Sequence, residues 1–375
     1  MPQIIIIVSV VLIVLGIIFG GIGLAISGGL STGSKTVNTY TVEEDFESIS
    51  IKADTGDILV KPSEDGTCRV DCRESKKEFY TIENKNGELS IEYHDTRKWY
   101  EYIQFSFNFE EIPDVVLYLP GQSYKNLAID ASTSDIELSR GIEFENASIS
   151  ISTGDLESYA KVSDSFTASV STGNIEIEGA DSKAIKVTAT TGDVSVENIK
   201  DSSELSVQTN TGDIEISDIE TGMLKLESTT GDQEIENISC ESLNSIADTG
   251  ERAFENIKAI GEVSVLSDTG EVRFDALNAG SISIVTDTGD ITLKNSLISG
   301  KASITASTGD VRIIDFDASE MKIITSTGDV TGNVLTPKIF YTHTSTGSVN
   351  VPKSTEGGLC DVETSTGDIR ISIGK

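Results

Sequence analysis

Apolar residues return with a period of two on either side of a Thr-Gly pair, and the pair itself returns every 19 or 20 residues. Its glycines are Gly154, Gly173, Gly192, Gly212, Gly231, Gly250, Gly270, Gly289, Gly309, Gly328, Gly347 and Gly367. Seven residues before them stand Ala147, Phe166, Ile185, Leu205, Leu224, Leu243, Val263, Ile282, Ala302, Met321, Phe340 and Cys360, all apolar. Two and four residues after them come pairs such as Ile175/Ile177, Val194/Val196, Ile214/Ile216 and Ile369/Ile371. A period of two is that of a strand with one buried face. A degenerate copy, Thr133-Ser134-Asp135, lies one step earlier, and a full copy is Thr55-Gly56-Asp57. Both keep the register, through Leu127, Ile129, Ile136 and Leu138 and through Ile49, Ile51, Ile58 and Val60. The stretch between the two copies has room for about four steps, which predicts atypical rungs there.

A strand, a glycine turn, a second strand and a short return cannot bury an apolar face alone. Stacked copies can, each strand pairing with its equivalents above and below. The fold class that follows is all-β: a single-chain parallel β-solenoid, or β-helix, of about 20-residue rungs. With strands about 4.8 Å apart, the rungs from Ser134 onward make a rod of roughly 60 Å. Glycine suits the corner because it accepts positive φ without a Cβ clash. Arg252 and Gln233 interrupt the aliphatic column two residues after the glycine, and Ser245 interrupts the column five before it. Either the core is weak at this point or the corner bends outward.

Ile4 to Ile26 is almost continuously apolar, long enough to cross a bilayer as one N-terminal transmembrane helix. A cleaved signal peptide is the rival reading, since Ala25 and Ser27 form a small-x-small site. The expected organisation is therefore 1–27 as membrane anchor, 28–45 as linker, 46–126 as the first rung plus an irregular strand and hairpin region, and 127–375 as regular solenoid. The acidic residues beyond the linker (Glu43, Glu44, Asp45, Glu47) favour an extracytoplasmic position for the carboxyl-terminal domain.

Composition narrows the partners. The 375 residues carry a net charge of −33, and none of it lies in residues 1–34. Such a surface excludes nucleic acid, whose phosphates need a basic face. Four scattered cysteines (Cys68, Cys72, Cys240, Cys360) give no disulfide framework and no metal-ligand spacing.

An apolar anchor, a Phe-x-x-Ile-x-Ile start (Phe46, Ile49, Ile51), Leu-Tyr-Leu-Pro at Leu117 to Pro120 and repeated Ser/Thr-Thr-Gly-Asp-Ile units resemble the bacterial "putative adhesins" of the LiaG-like group. The resemblance covers about residues 40 to 375. It implies a β-helical, envelope-associated protein, sometimes linked to envelope stress responses, and it brings no catalytic residues.

Candidate chemistry is confined to three places. Asp-Thr-Gly occurs at Asp54, Asp248, Asp268 and Asp287, but an aspartic protease needs two such loops facing one another. Here three copies fall on consecutive rungs, and the turn accounts for them. The residue after the glycine is acidic on eight consecutive rungs, from Asp193 to Asp329. Turn capping explains a column that Asp, Asn and Ser share; divalent cation binding is the functional alternative. Calcium is the candidate ion, and Asp248, Glu251, Asp268, Glu271, Asp287 and Asp290 are its candidate ligands. Third, residues 61–126 break the repeat. Ile82 to Ile91 reads as a hairpin turning at Asn86-Gly87, and an aromatic run follows. Packing over the rod is one reading of that run. An exposed patch for a glycan or an envelope protein, with Trp99 and Tyr100 at its centre, is the other.

With His94 and His343 the only histidines, nucleophilic catalysis has no candidate. The expected function is thus non-catalytic: an acidic rod presented for adhesion, envelope structure or stress response. A carbohydrate-active β-helix enzyme is the runner-up. Ile371-Ser372-Ile373 closes the last strand with no polar cap, which predicts weak end-to-end self-association.

Overall fold

A computed structural model describes residues 35–98 and 114–374. The predicted anchor, Trp99 and Tyr100 lie outside these residues; within them, no helix is long and apolar enough to cross a membrane. The described chain is all β. It opens with β1 (Thr36–Val42), β2 (Ser48–Thr55), β3 (Ile58–Pro62), β4 (Cys68–Glu74), β5 (Glu78–Lys85), β6 (Glu88–Asp95), β7 (Val115–Leu119), β8 (Ser123–Thr133) and β9 (Ile136–Leu138). The regular rungs run from β10 (Glu143–Thr153) to β24 (Val330–Val334), and the chain closes with β25 (Lys338–Thr346), β26 (Val349–Asn350), β27 (Gly358–Thr366) and β28 (Ile369–Ile373).

Equivalent residues of successive rungs pair in parallel and in register. Ala147 lies beside Phe166, Phe166 beside Ile185, and Ile185 beside Leu205. The last three are 2% exposed or less, so the column seven before the glycine is a continuous core. Phe254 and Phe274, on neighbouring rungs, stack with centroids 4.3 Å apart. The first corner needs glycine twice over. At Gly231 φ is +141°, and a Cβ would lie 2.0 Å from the carbonyl oxygen of Gly212 on the rung below.

A second corner follows six residues after the glycine, where Asn198, Asp218, Asn237, Asn256, Asn295 and Asp315 hold φ between 49° and 57°. Asn and Asp tolerate this left-handed conformation best among residues with a Cβ. The side chains also link rungs, with Asn256 Nδ2 donating to Asn237 Oδ1 at 2.8 Å.

Two departures from sequential stacking correct the sequence reading. The stretch between Gly56 and Ser134 does supply an atypical rung, β6 and β7, but not between those two copies. Ile49 pairs directly with Leu127 and Ile58 with Ile136, and the intervening chain passes to the other side of β2 and β3. It forms the expected hairpin, β5 antiparallel to β6, with Asn86 and Gly87 at φ 55° and 80°. β6 and β7 extend the two sheets below β2 and β3, and β4 runs antiparallel to both β7 and β1.

At the other end the last strand is not the edge. β27 lies between β23 (Val311–Thr327) and β25, and β28 between β24 and β26, so the final rung is inserted beneath the one that precedes it in sequence. The inward side chains give the reason. β27 and β28 offer Val362, Ile369 and Ile371, all 3% exposed or less, whereas β25 offers the half-buried Thr342 opposite Val362. A rung with a hydroxyl facing inward is better placed last, where that group meets water.

Arg252 and Gln233 both stay inside, each 1% exposed. The corner does not bend outward.

Candidate interaction surfaces

The acidic ladder is built from the turn. A residue just after a corner glycine has its backbone N–H directed at the rung below, where the equivalent side chain waits. Asp155 N–H donates to Asp135 Oδ1 at 2.9 Å, Asp213 to Asp193 at 2.9 Å, Asp232 to Asp213 at 2.7 Å and Glu251 to Asp232 at 2.7 Å. Asn174 takes the same place, accepting from Asp193 at 3.0 Å. Higher up, Asp329 donates to Asp310 at 2.8 Å, Asp368 to Asp329 at 2.7 Å and Ser348 to Asp368 at 2.6 Å. The bonds from the Ser348 amide and hydroxyl hold the Asp368 carboxyl below its ordinary range. Each carboxylate therefore satisfies an amide that the turn would otherwise leave to water.

The carboxylates of Glu251 and Glu271 turn away from this ladder. Glu271 binds Arg273, whose Nε donates to its Oε1 at 2.6 Å, and Glu251 lies 4.0 Å from the same guanidinium. The six candidate calcium ligands thus fall in two columns on either side of the turn, with Asp248, Asp268 and Asp287 exposed on one side. Among the described residues no three His, Cys, Asp or Glu side chains are grouped to hold a metal ion. The structure spreads these carboxylates along the rod rather than converging them.

Under the ladder lies a buried polar pocket that breaks the aliphatic core. Gln233 Nε2 donates to Ser228 Oγ at 2.9 Å, and its Oε1 accepts from Ser245 Oγ at 2.6 Å. Arg252 Nη1 donates to the Gly250 carbonyl at 2.5 Å and to Ser267 Oγ at 2.8 Å. Its Nε and Nη2 have no partner. Desolvation lowers the Arg252 pKa, and nearby Asp232, Asp268 and Asp248 work against that shift.

A feature that the sequence reading missed lies at the third corner. Lys258, Ile260, Asn278, Leu297 and Ser299 line a trough of about 430 Å³ floored by Ala259, Ala279 and Ile298. Glycines let the rungs stack closely beside it: a Cβ on Gly280 would lie 2.5 Å from the Ile260 carbonyl oxygen, and one on Gly300 would lie 2.7 Å from that of Gly280. Ile260 is 82% exposed and Leu297 49%. The signal was available as Gly261, Gly280 and Gly300, nine residues before their corner glycines.

A family model described as Toastrack DUF4097 matches residues 46–200, 157–274 and 255–375. A solved structure described as a "putative adhesin" from Bacteroides fragilis is similar at 14% identity, covering 70% of this chain and 98% of its own, with a TM-score of 0.31. Another, described as a "putative cell adhesion protein" from Clostridium sporogenes, is similar at 10% identity, covering 91% of this chain and 100% of its own, with a TM-score of 0.16. No curated protein matches the chain.

Proposed function

The chain belongs to the Toastrack DUF4097 family, and from that premise we propose that it is a non-catalytic, membrane-anchored protein of the cell envelope, its rod held outside the membrane to contact an envelope protein or glycan. One observation carries this reading. The carboxylates of the turn ladder have a mechanical task, tying each turn to the next, so that column needs no catalytic or metal chemistry to explain it. What they build is a stiff, repetitive, strongly acidic support. The apolar stretch from Ile4 to Ile26 supplies the anchor.

The trough at the third corner is the surface best suited to contact. It is the one place described above where exposed aliphatic side chains line a concave strip, with Lys258, Asn278 and Ser299 as polar partners around them. Glycine backbone along its edge lets an extended polymer approach closely.

Fractionation and external protease treatment of cells test the location: the chain is expected in the membrane fraction and cleavable from outside. Retention of the full chain on isolated envelope tests the contact, with Ile260→Asp and Leu297→Asp expected to abolish it. Recovery of the chain in the soluble fraction, or unchanged retention of the double variant, would sink the proposal. Release of reducing sugar from a panel of cell-wall polysaccharides would favour the enzymatic runner-up instead.

A further inference from the structure

The two ends of the rod are finished differently. At one end β4, β5 and β1 run antiparallel to their neighbours and cover the first rung. At the other stands the rung of β25 and β26. These strands pair with β27 and β28 on one side and, among the described residues, with no strand on the other. Their outer backbone groups form an open template for a further strand. The rung is internal in sequence, so this edge is set by the insertion of β27 and β28.

The same rung is where the rod loses its acidity. Across residues 335–358 the acidic and basic side chains are Lys338, His343, Lys353 and Glu356. Lys338 is already paired with Asp317 at 2.5 Å, and the ladder position holds Ser348 rather than an acid. Copies of a chain with net charge −33 repel one another side by side, but through this end they meet without that opposition. Apolar surface is on offer as well: Tyr341 is 63% exposed and Val349 44%, while Phe340 and Val351 lie half-buried at the end of the core.

We propose that a second copy of this chain occupies this edge. β25 of one copy pairs antiparallel with β25 of the other about a two-fold axis perpendicular to the rod. The product is a tail-to-tail dimer through which the core is continuous. Thr342 and Thr344 face across the join, where threonines on opposed strands hydrogen-bond well. A two-fold contact uses the same end of both copies and closes on itself, so a dimer forms rather than a fibre. The proposal is independent of the adhesion reading.

Cysteine scanning of the full chain in detergent micelles tests it. The four native thiols are buried, so Tyr341→Cys, His343→Cys and Ser345→Cys can be oxidised alone or mixed, with Thr39→Cys on β1 as the far-end control. Covalent dimers are expected from His343→Cys, which meets its own copy at the two-fold, and from Tyr341→Cys mixed with Ser345→Cys, and not from the control. Sedimentation equilibrium should show a dimer that Thr342→Asp with Val349→Asp weakens by about tenfold or more, with the far-ultraviolet circular dichroism unchanged. Covalent dimers absent from all three β25 positions, or equally frequent at Thr39→Cys, would overturn the proposal. So would a monomer at every concentration. If the aspartate variant fails to fold, the cysteine scan still decides.

Discussion

Oδ1 of Asp232 accepts the backbone N–H of Glu251 at 2.7 Å, one rung along the rod. That bond separates two kinds of acid on the same surface. Asp232→Ala removes an acceptor from a turn amide and is expected to cost about 1 kcal/mol in urea unfolding, while Asp232→Asn, which keeps an acceptor as Asn174 does, should be close to neutral. Asp248→Ala, at an exposed position on the other side of the turn, should stay within about 0.5 kcal/mol. Millimolar calcium should move the melting temperature by less than about 1 °C. A larger calcium-dependent rise, lost in Asp268→Asn with Glu271→Gln, would restore the metal reading.

Gly231→Ala puts a Cβ 2.0 Å from the Gly212 carbonyl oxygen at a φ of +141°. Both the strain and the collision are with backbone, so a loss of about 3 kcal/mol or more is expected. Gly66→Ala, at φ +74° with nothing within 4 Å, isolates the conformational part and should cost about 1 kcal/mol. Equal effects in thermal unfolding would mean that the corner column is not tightly stacked.

Arg252 is a buried cation with two nitrogens unpartnered. Replacing such a group and its hydroxyl partner by apolar residues of similar size is commonly stabilising, and Arg252→Met with Ser267→Ala is expected to gain about 1–3 kcal/mol. Gln233→Leu should do the opposite. It leaves the Ser228 and Ser245 hydroxyls without the amide that joins them and should lose about 1–3 kcal/mol. Denaturant midpoints of the two variants decide the matter by sign.

Burial pushes the Cys68, Cys72 and Cys360 thiols up to about 12 and Cys240 to about 11. At pH 8 a thiol with its pKa raised by about three units holds about a thousandfold less thiolate than an ordinary one. Labelling with a thiol reagent should therefore be negligible in the native protein and reach all four sites in denaturant. Native-state labelling of Cys360 ahead of the other three would locate the first opening at the inserted rung.

The repeat made most of this fold readable. Columns such as Phe166, Ile185 and Leu205 are visible in the sequence because each rung adds the same number of residues, give or take one. The turn role of Asp193 and its equivalents was readable for the same reason, since Asn174 and Ser348 could replace them. The second corner was equally available in Asn198, Asp218 and Asn237, but polar residues in a loop draw less notice than a glycine. Stacking order was not legible where rungs are out of sequence. A period says which residues are equivalent and not which copies are neighbours. The clue lay in composition: Thr342 stands in a column that Ile323 and Val362 fill with aliphatic side chains. The trough around Ile260 was hidden because three glycines at a corner look like three turns.

Methyl nuclear Overhauser contacts at the end of the rod test the stacking most directly. Val330 lies beside Ile369, and Ile323 beside Val362, so strong Val330–Ile369 and Ile323–Val362 contacts are expected, together with Ile49–Leu127 at the other end. A Val330–Val349 contact in place of Val330–Ile369, as rungs stacked in sequence order would give, would contradict the account.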